Sequence, residues 1–214
     1  MNIILFGPPG AGKGTQADFI SKKFNLYKVS TGDLLRNEIK EETKLGNQIE
    51  SILEKGSFVN DNIINDLVIK ILNKKHNYNN IIFDGYPRNI NQAKSLDLLL
   101  MKFKKKITCV LNLNVEKNSV IKRILGRQSC SKCGLIFNKY FNIPTDKNHA
   151  CGPEFLLTRT DDNEKTIANR YETYLTETLP VLNFYKKQNL LHEINGTKKI
   201  DQIYEEIQGI ITSL

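Results

Sequence analysis

The segment from Gly7 to Thr15, GPPGAGKGT, combines the residue types that bind phosphate. It follows a short apolar run and precedes a helical pattern, and this strand–loop–helix order makes a phosphate-loop match specific. Successive backbone N–H groups at a helix start form an anion-binding nest, to which Lys13 adds a positive charge. Gly14 separates Lys13 from Thr15, whereas the usual pattern places the Mg²⁺-binding hydroxyl directly after the lysine. We therefore expect a phosphate site whose Mg²⁺ is held largely through water.

Arginine is rare in this chain, which has 6 Arg against 25 Lys. The 24 Asn and 25 Ile share A/T-rich codons with Lys, so a coding bias explains the net charge of +8 as well as a binding surface does. Arginine should then persist where lysine cannot replace it, in planar, bidentate recognition of phosphate or carboxylate. The candidate ligands are Arg36, Arg88, Arg123, Arg127, Arg159 and Arg170.

Strands and helical patterns alternate along the chain, which predicts an α/β fold with a parallel sheet covered on both faces. The predicted strands are residues 2–6, 27–30, 81–84, 107–113 and 190–194. The predicted helices are residues 16–24, 32–42, 45–55, 60–75, 89–101, 116–127, 163–188 and 200–213.

Two segments interrupt this alternation. Residues 128–158 have no helical periodicity, and Gly, Pro, Asn and Cys cluster there. Such a long irregular stretch in a compact domain is usually functional, so we interpret it as an inserted subdomain. Residues 30–60 form a second, helical excursion between two strands.

Length and composition limit the class of protein. A chain of 214 residues fits one domain with smaller insertions. No apolar run reaches the ~20 residues that span a bilayer, and the N-terminus lacks an export signal. We therefore expect a cytoplasmic protein that binds no membrane. The sequence contains no basic stripe interleaved with aromatic residues, which is the pattern that would indicate nucleic-acid binding.

The motifs together resemble those of adenylate kinases with a long lid. Besides the phosphate loop, the resemblance rests on STGDLLR at 30–36, FDGYPR at 83–88 with Gln92, RILGR at 123–127, RTDD at 159–162, and Arg170. It runs in register from residue 2 to about 198, and all six arginines fall inside these motifs. The resemblance implies the α/β fold of phosphate-loop nucleoside-monophosphate kinases, with a five-stranded parallel sheet flanked by helices. Its core would be residues 1–29, 61–125 and 164–214, with a nucleoside-monophosphate insert at 30–60 and a lid at 126–163.

The resemblance also implies the reaction, which is reversible transfer of the terminal phosphoryl group of ATP to AMP with Mg²⁺. The implied catalytic set is Lys13, Asp84, Arg88, Arg123, Arg159 and Arg170. The implied ATP-binding set is Gly10, Ala11, Gly12, Lys13, Gly14, Thr15, Arg127, Ile136, Phe137 and Lys198. The implied AMP-binding set is Thr31, Arg36, Ser57, Phe58, Val59, Gly85, Arg88, Gln92, Arg159 and Arg170.

The family implies particular roles within these sets. Lys13 would bridge the β- and γ-phosphates, and Asp84 would orient the waters around Mg²⁺. Thr31 and Gln92 would read the adenine of AMP, whose phosphate would be held by Arg36 and Arg88. Arg123, Arg159 and Arg170 would surround the transferred group, with Arg127 against ATP on the lid side. Asp161 and Asp162 either tie the lid edge to basic groups or are ordinary helix N-terminal carboxylates.

Two other functions are compatible with some or all of these motifs. A GTP:AMP phosphotransferase would share every catalytic residue, and only nucleotide kinetics would separate the two. A nucleotide-binding switch without turnover is a remote alternative, against which the displaced Thr15 and the arginine set argue. The family implies a monomer whose partners are ATP, AMP and ADP.

The cysteines of the inserted subdomain suggest a metal site. Cys130-Ser-Lys-Cys133-Gly134 is a zinc-knuckle pattern, in which a tight turn presents two thiolates. Cys151 resembles the end of a second knuckle that lacks its first cysteine. The candidate zinc set is therefore Cys130, Cys133, His149 and Cys151, with Asp146 or Glu154 as poorer substitutes for His149. The alternative is a lid that has lost its metal. Cys109 lies in a predicted buried strand and is expected to be a core thiol.

Overall fold

A computed structural model describes residues 1–41, 43–55, 57–74 and 80–214. Within these residues the main sheet has five parallel strands, in the order β2-β3-β1-β4-β8. The strands are β1 (Asn2–Phe6), β2 (Tyr27–Ser30), β3 (Ile81–Asp84), β4 (Cys109–Asn114) and β8 (Leu191–Asn195). The predicted five-stranded parallel sheet is confirmed. β4 and β8 each begin and end one or two residues later than predicted.

The central strand shows why the sheet needs cover on both faces. Ile4 and Phe6 of β1 pack into one apolar core, and Ile3 and Leu5 pack into another on the opposite face. Successive side chains of a strand point to opposite faces, so a continuous apolar run such as β1 is typical of a doubly covered strand.

Helices flank the sheet and follow the predicted pattern with small shifts at their ends. They are α1 (Lys13–Phe24), α2 (Thr31–Lys40), α3 (Lys44–Glu54), α4 (Asp61–Lys74), α5 (Ile90–Lys102), α6 (Lys117–Leu125), α7 (Glu164–Thr173), α8 (Leu179–Lys186) and α9 (Ile200–Thr212). The predicted helix ends at residues 42 and 75 lie outside the described residues. In the described part of the chain, no helix combines the length and apolarity that crossing a membrane requires.

Two predicted helices were too long. The helix predicted at 163–188 is divided into α7 and α8 by one π-helical turn, Tyr174–Thr178. Pro180 is the second residue of α8, and its missing N–H leaves the preceding turn without one regular hydrogen bond. The helix predicted at 116–127 ends at Leu125, where Gly126 caps it and the chain enters a strand.

The stretch that looked irregular in sequence contains a small antiparallel sheet. Its strands, in the order β6-β5-β7, are β5 (Arg127–Cys130), β6 (Ile136–Asn138) and β7 (Leu156–Leu157), and a 3₁₀ turn at Pro153–Phe155 precedes β7. We refer to residues 126–163 as the lid. These strands are two to four residues long, too short for their side chains to alternate visibly in sequence.

Candidate active site

A cavity of about 300 Å³ lies at the carboxyl edge of the main sheet, where open α/β folds bind ligands. All six arginines of the chain line it, together with Lys13 and Asp84. The strand register places the ends of three strands at this edge, because Asp84 at the end of β3 is level with Leu5 of β1 and Ser30 of β2. The rare arginines thus converge on one site.

The phosphate loop wraps the start of α1, which begins at Lys13 and not at Gln16 as predicted. Gly7 and Gly10 have φ angles of 142° and 77°. A Cβ atom would lie 2.8 Å from the Leu113 carbonyl oxygen at Gly7 and 2.6 Å from a side-chain carbon of Ile124 at Gly10. Only glycine fits both positions, which leaves the free N–H groups of the first helical turn open to an anion.

Lys13 lies over this loop, with its Nζ donating to the carbonyl oxygens of Gly7 at 2.7 Å and Pro8 at 2.9 Å. Burial is the main reason that its pKa falls to about 8; nearby Asp84 opposes this shift, and neighbouring guanidinium groups add to it. Burial also raises the pKa of Asp84, against the influence of Lys13 and Lys28. A methyl group at Gly14 would lie 3.6 Å from Asp84 Oδ2, so this carboxylate faces the first turn of α1.

Several of the arginines are close enough to repel one another. Burial lowers the pKa of Arg159 to about 9, and Arg127 is the next largest cause. Burial likewise lowers the pKa of Arg88 to about 10, followed by the charge of Arg170. Two carboxylates lie among these cations: Asp161 accepts from Arg170 Nη1 at 2.7 Å, and Asp162 pairs with Arg127. Such a concentration of positive charge favours a polyanionic ligand.

Arg123 is set apart from this group. Its Nη1 donates to the Ala11 carbonyl oxygen at 3.3 Å, and its guanidinium carbon lies 5.7 Å from the ring centroid of Phe141. Burial alone lowers its pKa, whereas Arg127 affects the pKa of Lys13 as well as that of Arg159. Arg127 therefore belongs to the cation cluster around Lys13, and Arg123 lies on the lid side of the phosphate loop.

The residues expected to bind AMP meet where α2, β3 and α5 begin or end. The Thr31 hydroxyl donates to the Gly85 carbonyl oxygen at 2.7 Å, and Arg88 Nε donates to the same oxygen at 2.8 Å. Gln92 is 1% exposed; its Oε1 accepts from the Arg88 backbone N–H at 2.8 Å. Its Nε2 donates to Asp61 Oδ1 at 2.6 Å, which leaves one N–H of that amide for a ligand.

The remaining AMP candidates surround the same place. A second cavity of about 10 Å³ is lined by Thr31, Val59, Gln92 and their neighbours. The guanidinium carbon of Arg88 lies 5.0 Å from the ring centroid of Phe58, which lines both cavities. Ser57 and Arg36 line the larger cavity, where Arg36 pairs with Asp33. Sequence reasoning missed Asp61, whose only signal was an acidic residue in the first turn of α4.

The residues expected to bind ATP also line the larger cavity. Gly10 to Thr15 line it from the phosphate loop, Ile136 and Phe137 from the lid, and Lys198 from the loop before α9. Lys198 Nζ donates to Glu206 Oε2 at 2.7 Å. Gln16 also lines the cavity and was not predicted.

Within the lid, Cys130, Cys133, His149 and Cys151 form one cluster, whose ligand atoms all lie within 4.8 Å of one another. The N–H of Gly134 donates to the Cys130 carbonyl oxygen at 2.9 Å, which closes a tight turn containing Cys130 and Cys133. His149 is 7% exposed, and its Nε2 has no hydrogen-bond partner in the described parts of the chain. Three sulfur ligands and one imidazole suit tetrahedral Zn²⁺.

The other candidates for this metal site fall outside the cluster. Asp146 and Glu154 do not belong to it in the portion of the chain that was described. Cys109 lies in β4, where burial raises the pKa of its thiol to about 12.

The matching family model and three similar proteins carry the same description. The family model described as "Adenylate kinase" matches residues 5–190. The chain is 48% identical over 211 residues to an adenylate kinase of Pelagibacter ubique (strain HTCC1062), covering 99% of each chain. It is 44% identical to one from Fusobacterium nucleatum, covering 99% of this chain and 98% of the relative. It is 42% identical to one from Methanocella arvoryzae, covering 100% of both.

Proposed function

This chain belongs to the adenylate kinase family and is an ATP:AMP phosphotransferase, and we propose that the transfer takes place in the cavity at the carboxyl edge of its main sheet. The observation that carries this proposal is the convergence of Lys13 and all six arginines on that cavity. Phosphoryl transfer needs charge neutralisation, in-line positioning and exclusion of water, with little covalent chemistry by the protein.

On the donor side, Lys13 would release the Gly7 and Pro8 carbonyl oxygens and bridge the β- and γ-phosphates, which the N–H groups at the start of α1 would bind. Asp84 faces this turn and would orient the waters around Mg²⁺. When bound, Mg²⁺ neutralises phosphate charge. Arg159 and Arg170 would surround the transferred group. The cation cluster supports adding Arg127 to them, whereas the position of Arg123 beside Phe141 supports a contact nearer the donor base.

On the acceptor side, Arg36 and Arg88 would hold the AMP phosphate. The Thr31 oxygen is free to accept a hydrogen bond, since its proton goes to Gly85. Gln92 retains one N–H to donate. An acceptor beside a donor matches the edge of adenine, which offers an amino group beside a ring nitrogen. Ser57, Phe58 and Val59 would close over this base.

We propose that residues 30–60 and the lid move against the core formed by 1–29, 61–125 and 164–214. Closure would keep water away from the phosphoryl group, as this chemistry requires. Two hydrogen bonds would support the closed insert: Thr166 Oγ1 donates to the Glu54 carbonyl oxygen at 3.0 Å, and Asn169 Nδ2 donates to that of Lys55 at 3.3 Å.

A structural Zn²⁺ in the lid is a further part of the proposal. It would be held by Cys130, Cys133, His149 and Cys151, and the unpaired, buried Nε2 of His149 supports this set. Such a metal would stabilise the lid and take no part in the transfer. We also propose that the protein is a monomer, because both halves of the site come from one chain. The cytoplasmic location expected from the sequence is part of the same proposal.

A coupled assay for ADP formation tests the function and its site together. With ATP, AMP and Mg²⁺ the protein should form ADP, and Lys13→Ala and Arg88→Ala should each lose several orders of magnitude in turnover while remaining folded. Lys94→Ala, on the exposed side of α5, should match the unaltered protein. Unaltered turnover in either site variant would overturn the assigned roles, and GTP replacing ATP at equal efficiency would favour a GTP:AMP phosphotransferase.

A further inference from the structure

Gln16 joins the phosphate-loop helix to the first residue of α9. It lies three residues after Lys13, is 2% exposed, and its Nε2 donates to the Ile200 carbonyl oxygen at 2.9 Å. These two residues are 184 positions apart in sequence, and both line the large cavity. Because Lys198 lies two positions before Ile200, Gln16 connects the part of the site expected to hold the donor phosphates with the part expected to hold the donor base.

The other end of this amide is unpaired. The Ile200 carbonyl oxygen can only accept a hydrogen bond, so the amide nitrogen must face it. This orientation leaves Oε1 of Gln16 as a buried acceptor without a partner in the chain as described. A buried acceptor left unpaired costs free energy, so a donor that arrives there with a ligand is bound more tightly.

We propose that Gln16 determines which nucleotide serves as phosphoryl donor. Its Oε1 accepts a hydrogen bond from the exocyclic amino group of adenine, and its Nε2 holds the loop that carries Lys198 in register with the phosphate loop. Guanine carries a carbonyl oxygen at the same position, so GTP would place two acceptors against each other and leave both unpaired. This inference rests on the proposed function, in which ATP is the donor.

The main test removes the acceptor. Gln16→Met keeps the length of the side chain and cannot form either hydrogen bond. With AMP saturating, kcat/KM for ATP should fall about tenfold or more relative to kcat/KM for GTP, and KM for AMP should be unchanged. Gln208→Met, the same change on α9 away from the cavity, serves as the control. If Gln16→Met lowers kcat/KM for ATP and GTP by the same factor, Gln16 is only a structural tether and the proposal is wrong.

A substrate lacking the amino group provides a test that does not depend on how a variant folds. Purine riboside triphosphate is ATP without its exocyclic amino group. The unaltered protein should use it about tenfold less well than ATP, and Gln16→Met should show no further preference between the two. Equal use of both nucleotides by the unaltered protein would overturn the role of Oε1. Failure of the proposed function would look different, since no donor would then convert AMP to ADP.

Discussion

Arg127 and Asp162 form a bidentate ion pair at the base of the lid. Arg127 Nε donates to Asp162 Oδ2 at 2.8 Å, and its Nη2 pairs with Oδ1 of the same carboxylate. The side chain of Asp162 is 0% exposed and that of Arg127 is 13% exposed. Since Arg127 begins β5 and Asp162 precedes α7, the pair joins the two ends of the lid to each other. Arg170 Nη1 lies 3.6 Å from the same carboxylate.

Asp162→Asn should therefore destabilise the protein more when nucleotide is absent than when it is present. Losing this buried anion leaves Arg127 and Arg170 facing each other, and we expect the free energy of unfolding to fall by about 3 kcal/mol. Bound phosphates would replace the missing negative charge, so Mg²⁺ and ADP should raise the melting temperature of the variant more than that of the unaltered protein. Denaturation with and without ADP measures both effects.

The control for Asp162→Asn is Glu205→Gln, on the exposed face of α9. It removes one negative charge far from the arginines and should leave stability nearly unchanged. If Asp162→Asn were as stable as the control, or gained no more from ADP than the unaltered protein, the pair would not balance the charge of this site.

ATP binding should weaken as the pH rises through about 8. In the free protein, burial holds the pKa of Lys13 at about 8, so the side chain loses its proton above that pH and with it the attraction for phosphate. Calorimetric titration of ATP between pH 7 and pH 9.5 measures this affinity. Lys13→Met should bind ATP weakly, with little change over this range. An ATP affinity of the unaltered protein that does not change with pH would contradict the assignment.

The same shift has a consequence for stability with a definite sign. Between pH 8 and 10.5 the unfolded chain keeps a proton on Lys13 that the folded chain has lost. The unfolded state then binds more protons, so Lys13 makes the free energy of unfolding increase with pH in this window. Lys13→Met should remove that contribution, which denaturation across the window would reveal.

The sequence predicts those parts of the fold and site that local chemistry determines. The apolar runs predict the five strands of the main sheet, and the strand–loop–helix order around Lys13 predicts the phosphate loop. The scarcity of arginine predicts which cations converge. Each of these signals lies within a few neighbouring residues, or in the choice of arginine over lysine. It can therefore be recognised without knowing which distant residues come together in the fold.

Features that depend on distant partners could not be predicted in this way. The partner of Gln16 is 184 residues away in sequence. Asp61 of α4 accepts a hydrogen bond from Gln92 of α5, 31 positions away. The helix predicted at 116–127 would have held both Arg123 and Arg127, whereas α6 ends at Leu125 and Arg127 begins β5. The π turn at Tyr174–Thr178 likewise reflects a proline further along the chain.

Thr31→Val should reduce the affinity for AMP selectively. Valine has nearly the shape of threonine but offers no oxygen to the base, and it also leaves the Gly85 carbonyl oxygen with one partner fewer. We expect KM for AMP to rise about tenfold while KM for ATP changes little, because an unpaired polar group is costly in a buried site. Steady-state kinetics with AMP, CMP and UMP measure the effect. The preference for AMP over CMP and UMP should shrink, and a rise in both KM values together would contradict it.

Protein purified after growth with zinc, and without chelator, should contain about one Zn²⁺ per chain. Elemental analysis should show this metal lost in Cys133→Ser and in His149→Ala, since a structural site needs all four ligands. Cys109→Ala is the matched control, because Cys109 is buried in β4, outside the cluster, and its loss should leave the zinc content unchanged. Absence of zinc from the unaltered protein would eliminate the site.

Removing the metal should separate the stability of the lid from the chemistry of transfer. Cys130 ends β5 and Cys133 lies in the turn after it, whereas His149 and Cys151 lie in the segment between β6 and β7. Without Zn²⁺ their thiols and imidazole lose the bonds that hold these parts together. The melting temperature should therefore fall after chelation, while Lys13-dependent transfer at low temperature persists, because Lys13 and the arginines lie outside the cluster. If chelation abolished transfer while the melting temperature stayed constant, the metal would belong to the reaction and not to the lid.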